Sequence, residues 1–287
     1  QKTITCRART YLVPQQTSVE RRQQLLRAAD RESQLLWDVR EHPNILRVAG
    51  YETDAPLGPT VLFDSFDGGV PLSTFLRQNP KLPFMDRVAI VEQVGRALAF
   101  CHRKQVVHGA LSPEAVLVRR KPDDQSIETR LFNFQLGVGT EVEATTHWSA
   151  LASEPWAVYQ APELRQDPTA RTPQSDVFSL GALAYYVFTG EPPGEDYVAV
   201  ARRLHDEHHL DPRAVDDGMQ EDLANLIAFA TELSPISRAD DVDEWLELVL
   251  AEITKPEPKA TEPETDPLEA RKGDNLGDDL LVDGVLG

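Results

Sequence analysis

Residues 175–189 read Ser-Asp-Val-Phe-Ser-Leu-Gly-Ala-Leu-Ala-Tyr-Tyr-Val-Phe-Thr, a helix that is apolar on nearly every side. A helix of that kind has to be buried in protein or in lipid. No apolar run in the chain approaches the roughly 18 residues of a membrane span, so the surround has to be protein. The flanking sequence supplies it. Helical patterns fall near 71–78, from Phe84 to Lys104, and near 196–207, 219–232 and 240–253.

The first part of the chain has a different rhythm. Residues 3–13 mix β-branched and polar side chains and stop at Pro14, as a strand does. From Ser18, a helix-capping residue, to Arg40 the apolar positions Leu25, Ala28, Ala29, Leu35, Leu36 and Val39 fall on one helical face. The runs 45–51 and 60–66 read as strands joined by a Pro/Gly turn, and two more strands are expected near 115–119 and 127–132. A loop of about thirty residues follows, a length that calls for a function or a firm anchor. The expected fold class is α+β: a small strand-rich lobe, about 1–66, a larger helical lobe, about 67–253, and a cleft between them.

Charge narrows the partners. With 29 Lys and Arg against 47 Asp and Glu, the formal net charge is −18, which excludes general binding of nucleic acid or an anionic membrane, since both need a positive field. Cys6 and Cys101 are far apart and form no metal-type pair, which fits a reducing, cytoplasmic setting. No signal peptide opens the chain, and its start at Gln1 rather than Met is read as the start of a piece of something longer. From Thr254 the chain becomes acidic and proline-spaced (Lys-Pro-Glu-Pro-Lys-Ala-Thr-Glu-Pro-Glu-Thr-Asp-Pro). It offers little apolar surface to offset ordering entropy, so 254–271 is expected to be a linker.

A series of short motifs carries a resemblance. Glu32 lies in a helix that leads into His42-Pro43-Asn44-Ile45. Leu62-Phe63-Asp64-Ser65-Phe66-Asp67-Gly68-Gly69 and Val107-His108-Gly109-Ala110-Leu111-Ser112-Pro113-Glu114-Ala115-Val116 follow. Asn133-Phe134-Gln135, Ala161-Pro162-Glu163, Ser175-Asp176-Val177-Phe178-Ser179-Leu180-Gly181, and Ser234-Pro235 with Arg238 complete the series. In order and spacing these resemble the protein kinase family over about 3–253. The resemblance implies a two-lobed fold with a hinge at Asp64–Phe66, Phe63 at the gate, and a nucleotide cleft formed by Arg9, Glu32, Phe63, Asp64, Phe66, Leu117 and Asn133.

It also implies that the reaction has been lost. Ala110 stands where the family carries the aspartate that accepts the substrate's proton, and a methyl accepts none. Ser112 replaces the loop lysine. Ala115 and Asn133 replace the two metal-binding residues, and magnesium strongly prefers anionic oxygen. Gln135 replaces a glycine whose backbone freedom would let the loop turn. Arg9 or Thr10 falls at the small-lobe lysine, and an arginine there could still pair with Glu32. The glycine-rich phosphate loop is absent from the stretch given. What the family uses as scaffold is kept: Leu36, His108 and Phe134 as an interlobe stack, Asp176 as the anchor of the catalytic-loop backbone, and Glu163 with Arg238 as a bidentate pair.

Other features carry less. His205, His208 and His209 lie beside Asp206 and Glu207, but no distant ligand is evident, so a solvated helix end is favoured over a zinc site. Trp156 and Tyr159 are expected to pack the long loop rather than dock a peptide, and Trp37 and Trp245 to be core or near-core. Residues 272–287 resemble the first strand of another kinase domain and stop at Leu286-Gly287, against the alternative of an acidic tail.

The expectation is a kinase-like module without catalysis that regulates or docks to a protein partner, the adjoining kinase domain foremost, in a bacterial protein. Tandem layouts of this type resemble some bacterial phage-defence kinases, an analogy at the level of fold. No cofactor is expected. Two alternatives stand beside this reading. One is a switch that binds ATP at the hinge without hydrolysing it. The other is a serine/threonine-kinase-like enzyme with unconventional transfer chemistry.

Overall fold

A computed structural model describes residues 6–135, 137–139 and 155–254. The long loop is therefore described only at its two ends, and the expected linker and second-domain strand, 254–271 and 272–287, lie outside the described residues apart from Thr254. The elements up to Ile253 belong to one compact unit.

The first lobe is a three-stranded antiparallel sheet with one helix. β1 (Cys6–Thr10), α1 (Val19–Val39), β2 (Val48–Glu52) and β3 (Thr60–Asp64) follow in chain order, and the sheet order is β1-β3-β2. Arg9 is in register with Val61 and Arg7 with Phe63. Ser18 caps α1, its side-chain oxygen accepting the Arg21 N–H at 3.2 Å, which satisfies one of the helix's orphan donors. The buried stripe of α1 holds Ala29, Leu35, Leu36 and Val39, and among them a carboxylate, Glu32.

Three details depart from the expected pattern. The strand expected at 45–51 starts only at Val48, because Ile45 bridges to Leu131 instead of joining the sheet. The strand expected at 60–66 ends at Asp64, because the chain turns there and the Gly69 N–H closes onto the Phe66 carbonyl at 3.0 Å. Trp37, expected in or near the core, is 54% exposed. Leu36 and Val39 occupy the inner face of α1, which leaves Trp37 facing out.

The second lobe opens with β4 (Val70–Pro71), α2 (Leu72–Gln78) and α3 (Phe84–Arg103), then β5 (Val116–Arg120) and β6 (Ile127–Leu131), in a sheet of order β4-β5-β6. α4 (Glu163–Gln166), α5 (Pro173–Thr189), α6 (Tyr197–Glu207), α7 (Glu221–Ala230) and α8 (Val242–Ile253) complete it. α5 is the apolar helix of the sequence, and α3, α7 and α8 pack around it. A Cβ on Gly181 would come within 2.6 Å of the Ala230 side chain, so glycine is what lets α5 and α7 approach this closely. α5 stops at Gly190, whose φ of 80° suits the left-handed turn that ends a helix. Trp245 is fully buried in this layer and donates its indole N–H to the Leu226 carbonyl at 2.8 Å.

The histidine cluster does not share one helix. α6 ends at Glu207, His208 takes φ 69°, and His209 lies 3.8 Å from Glu232. Among the described residues no group could hold a metal ion, and no helix is long and apolar enough to cross a membrane.

Candidate functional site

Strand alternation sends Arg7, Arg9 and the following Tyr11 to one side of the first sheet. There Arg9 meets the buried carboxylate of α1. Its Nη1 lies 2.7 Å from Glu32 Oε1 and also 2.7 Å from Asn133 Oδ1. The guanidinium stands over the Phe132 ring at 5.2 Å. Tyr11 donates its hydroxyl to the other oxygen of Glu32 at 2.6 Å, and the Phe134 backbone N–H also bonds this carboxylate. Burial lifts the Glu32 carboxyl above its ordinary value, with Arg9, Tyr11 and Phe134 pulling the other way. Burial, and then the Glu32 charge, push the Tyr11 phenol well above its usual range. Tyr11 is thus held as a neutral donor.

Asn133 adopts φ 71°, a left-handed conformation that asparagine tolerates better than most residues. Gln135 does not: its φ is not positive. The expectation that losing a glycine there impairs the turn is therefore corrected, because the turn makes no demand that only glycine meets. The Gln135 side chain instead bonds the Tyr11 hydroxyl.

The second part of the site is the loop after α3. Asp176, fully buried at the start of α5, accepts the His108 N–H at 2.8 Å, the Gly109 N–H at 2.9 Å and a hydrogen bond with His102 Nε2 at 2.9 Å. Burial alone would raise its carboxyl, but the bonds from His102 and the loop backbone outweigh it and hold the group below the usual range. His108 is buried, has its Nε2 3.0 Å from the Phe132 carbonyl, and stacks edge-on to Phe134 at 4.5 Å. Burial pushes its imidazole down, towards neutrality. Leu36 is fully buried in the same apolar cluster as Phe134. Gly109 turns with φ 67°.

Ala110, Ser112 and Ala115 are all buried along this loop. Leu117 and Phe63 are buried, Phe66 lies under Arg119, and Asp64 faces outward with Arg47 at 3.7 Å. Arg238 is bidentate to Glu163 at 2.7 and 2.9 Å and also donates to the Glu232, Leu233 and Gln174 carbonyls. Tyr159 is buried and meets Tyr186 at 6.1 Å, and Trp156 is partly buried against the core. Both therefore pack as expected. They also line a cavity of about 260 Å³ with Ser112 and Glu114.

Arg9, Glu32 and Asn133 are thus brought together, and so are His108, Phe134 and Asp176. Sequence reasoning missed Tyr11 and His102. The signals were present: Tyr11 is two residues beyond Arg9 on a strand, and His102 sits on the last turn of α3 just before the loop it braces.

Comparison with known proteins agrees with this geometry. The model of the protein kinase domain family matches residues 10–242. The chain is 28% identical to the "Probable kinase PglW" of Streptomyces coelicolor over 94% of its own length and 20% of that protein's. It is 29% identical to the serine/threonine-protein kinase PknL of Mycobacterium tuberculosis over 69% of its own length and 49% of the relative's, and 26% identical to PknB of the same species over 69% and 31%. The chain thus spans between a fifth and a half of these relatives. The domain match, with the two lobes and the anchored loop between them, establishes that this chain belongs to the protein kinase domain family.

Proposed function

We propose that this is a kinase domain that has given up phosphate transfer and works as a regulatory or docking module. The observation that carries the reading is how the charges of the catalytic corner are used. Arg9, the cation that reaches the corner, is committed to Glu32 and to Asn133. The position that the family resemblance assigns to the proton acceptor is a buried methyl, Ala110. Phosphoryl transfer consists largely of positioning and charge neutralisation, and this corner neutralises itself.

The residues do not fit a magnesium–nucleotide complex. Magnesium is held mainly by carboxylates, whereas the two metal positions are Ala115, which has no oxygen in its side chain, and Asn133, whose oxygen already accepts from Arg9. Ser112 supplies no cation.

What is kept supports a binding role. The Asp176 anchor, the His108–Phe134 stack and the Glu163–Arg238 pair maintain the shape of a kinase large lobe, and shape is what a partner reads. The partner favoured by this reading is an adjoining kinase domain. The likeness to PglW extends over 94% of the chain, which leaves too few residues unmatched for it to stop at Ile253, and the sequence of 272–287 resembles the opening of another kinase domain. A reducing, cytoplasmic setting fits the two free thiols, Cys6 exposed and Cys101 buried.

The test is incubation of the purified chain with radiolabelled ATP, magnesium or manganese, and a general protein acceptor, run beside a thermal-shift titration with ATP. Transfer at background level and no shift at millimolar ATP are expected. Transfer above background would overturn the proposal. A shift without transfer would replace it with the ATP-binding switch.

A further inference from the structure

A second cavity, of about 580 Å³, lies where the end of α1, the start of β2, the end of β3 and the strands β5 and β6 meet. Four of its lining residues are arginines: Arg40, Arg47, Arg119 and Arg130. In a chain of formal charge −18, four guanidinium groups around one cavity is a local reversal of sign. The carboxylates that face it are Asp64 and Glu41, with Glu128 behind, and His42 completes the titratable set. His42 is pushed towards its neutral form, by burial first and then by nearby arginines.

The four arginines divide into two pairs. Arg119 and Arg130 are structural. They grip Glu128 from two sides, donate to the Asp67 and Thr129 carbonyls, and stand over the Phe66 ring at 4.3 and 5.1 Å. Arg40 and Arg47 are not engaged in this way. Arg40 Nη1 is buried with no hydrogen-bond partner. Arg47 has one long contact, 3.7 Å to Asp64, with both side chains largely exposed. A cation at the end of α1 is favoured by the helix dipole, but the dipole satisfies no N–H. A buried donor without a partner costs free energy, and a bound acceptor would remove that cost.

A contact of Arg40 outside the lining points to the class of acceptor. The Arg40 guanidinium lies 3.7 Å from the centre of the Trp37 ring, and Trp37 is 54% exposed. Tryptophan and arginine are the side chains most enriched at the energetic centres of protein interfaces. Small-molecule cavities are mostly apolar, whereas four arginines, two acidic residues, a histidine and a serine make up most of this lining. Guanidinium forks match carboxylates in bidentate geometry. We propose that this face docks an acidic peptide segment of a partner protein, with Arg40 and Arg47 taking its carboxylates and Trp37 covering its backbone or an apolar neighbour. The inference does not depend on whether the domain is catalytically inert.

The experiment is fluorescence anisotropy of a labelled, glutamate-rich decapeptide titrated with the full chain at 50 and 300 mM salt. Binding that weakens with salt is expected, with at least a tenfold loss of affinity in the double variant Arg40→Ala/Arg47→Ala. The control Arg22→Ala/Arg27→Ala removes the same charge from the exposed face of α1 and is expected to change affinity less than twofold. Thermal melting of both variants verifies folding. No binding by the wild type, or equal losses in both double variants, would overturn the proposal. Displacement of the peptide by micromolar inorganic pyrophosphate would also overturn it, by assigning the cavity to a small oxyanion.

Discussion

Two buried acidic residues, Asp176 and Glu32, lie on either side of the His108–Phe134 stack and serve opposite purposes. Asp176 spends its carboxylate on backbone: it takes N–H groups from His108 and Gly109, with His102 alongside. Glu32 takes one backbone N–H, from Phe134, and otherwise spends its carboxylate on side chains, Arg9 and Tyr11. Backbone donors are indifferent to which residue carries them, so the first arrangement needs no side chain at Gly109. Side-chain donors are not. With arginine at position 9, a single guanidinium nitrogen, Nη1, serves Glu32 and Asn133 together, and the charge is no longer free for a ligand. One side has kept its shape and the other has closed on itself, and the proposal of a retained fold without phosphate transfer rests on that contrast.

The contrast can be broken first at the scaffold. Arg238→Ala removes five hydrogen bonds and leaves Glu163 without its partner. Breaking such a pair costs about 3–5 kcal/mol, measured as a lowered urea midpoint.

Asp176→Asn keeps the shape and removes the charge, at about 2–3 kcal/mol, since hydrogen bonds to a charged group are the stronger ones. It also changes the pH profile. The folded carboxyl is held below the usual range, while an unfolded aspartate titrates near ~3.9. Its contribution is therefore present above about pH 4 and is lost as pH falls through the folded value. Acid denaturation of the wild type should be steeper below pH 4 than that of Asp176→Asn.

On the other side Arg9→Ala should cost about 1–2 kcal/mol, because Tyr11 and the Phe134 N–H still hold Glu32. If it costs as much as Arg238→Ala, the two sides are not distinct in kind and the contrast fails. The smallest effect is expected from Gln135→Gly. Its backbone is not in a glycine-only conformation, so restoring glycine gains nothing and should lower stability by about 0.4–1 kcal/mol through a more flexible unfolded chain. A rise in stability would show that the turn is strained after all.

Much of this was legible without coordinates. Ser18 as a cap, the buried stripe of α1 and the apolar α5 follow from local residue type and periodicity, and the pairing of Glu163 with Arg238 from the family resemblance. Trp37 was misplaced because a residue next to Leu36 on a helix lies near the boundary between faces, and its hydrophobicity argued for the wrong side. Gln135 was misjudged because a backbone angle cannot be read from the loss of a glycine.

By itself the amino-acid sequence determined the order of elements, the family and which residue types stand at the motif positions. Those depend on residue type and spacing, and these are local. Only the tertiary structure decided where the remaining charges go. Arg9 finds partners 23 and 124 residues away, His102 reaches Asp176 across 74 residues, and four arginines from separate elements converge on one cavity. The physical reason is that a charge is neutralised by whatever lies within a few ångströms of it, and distance along the chain does not fix distance in space.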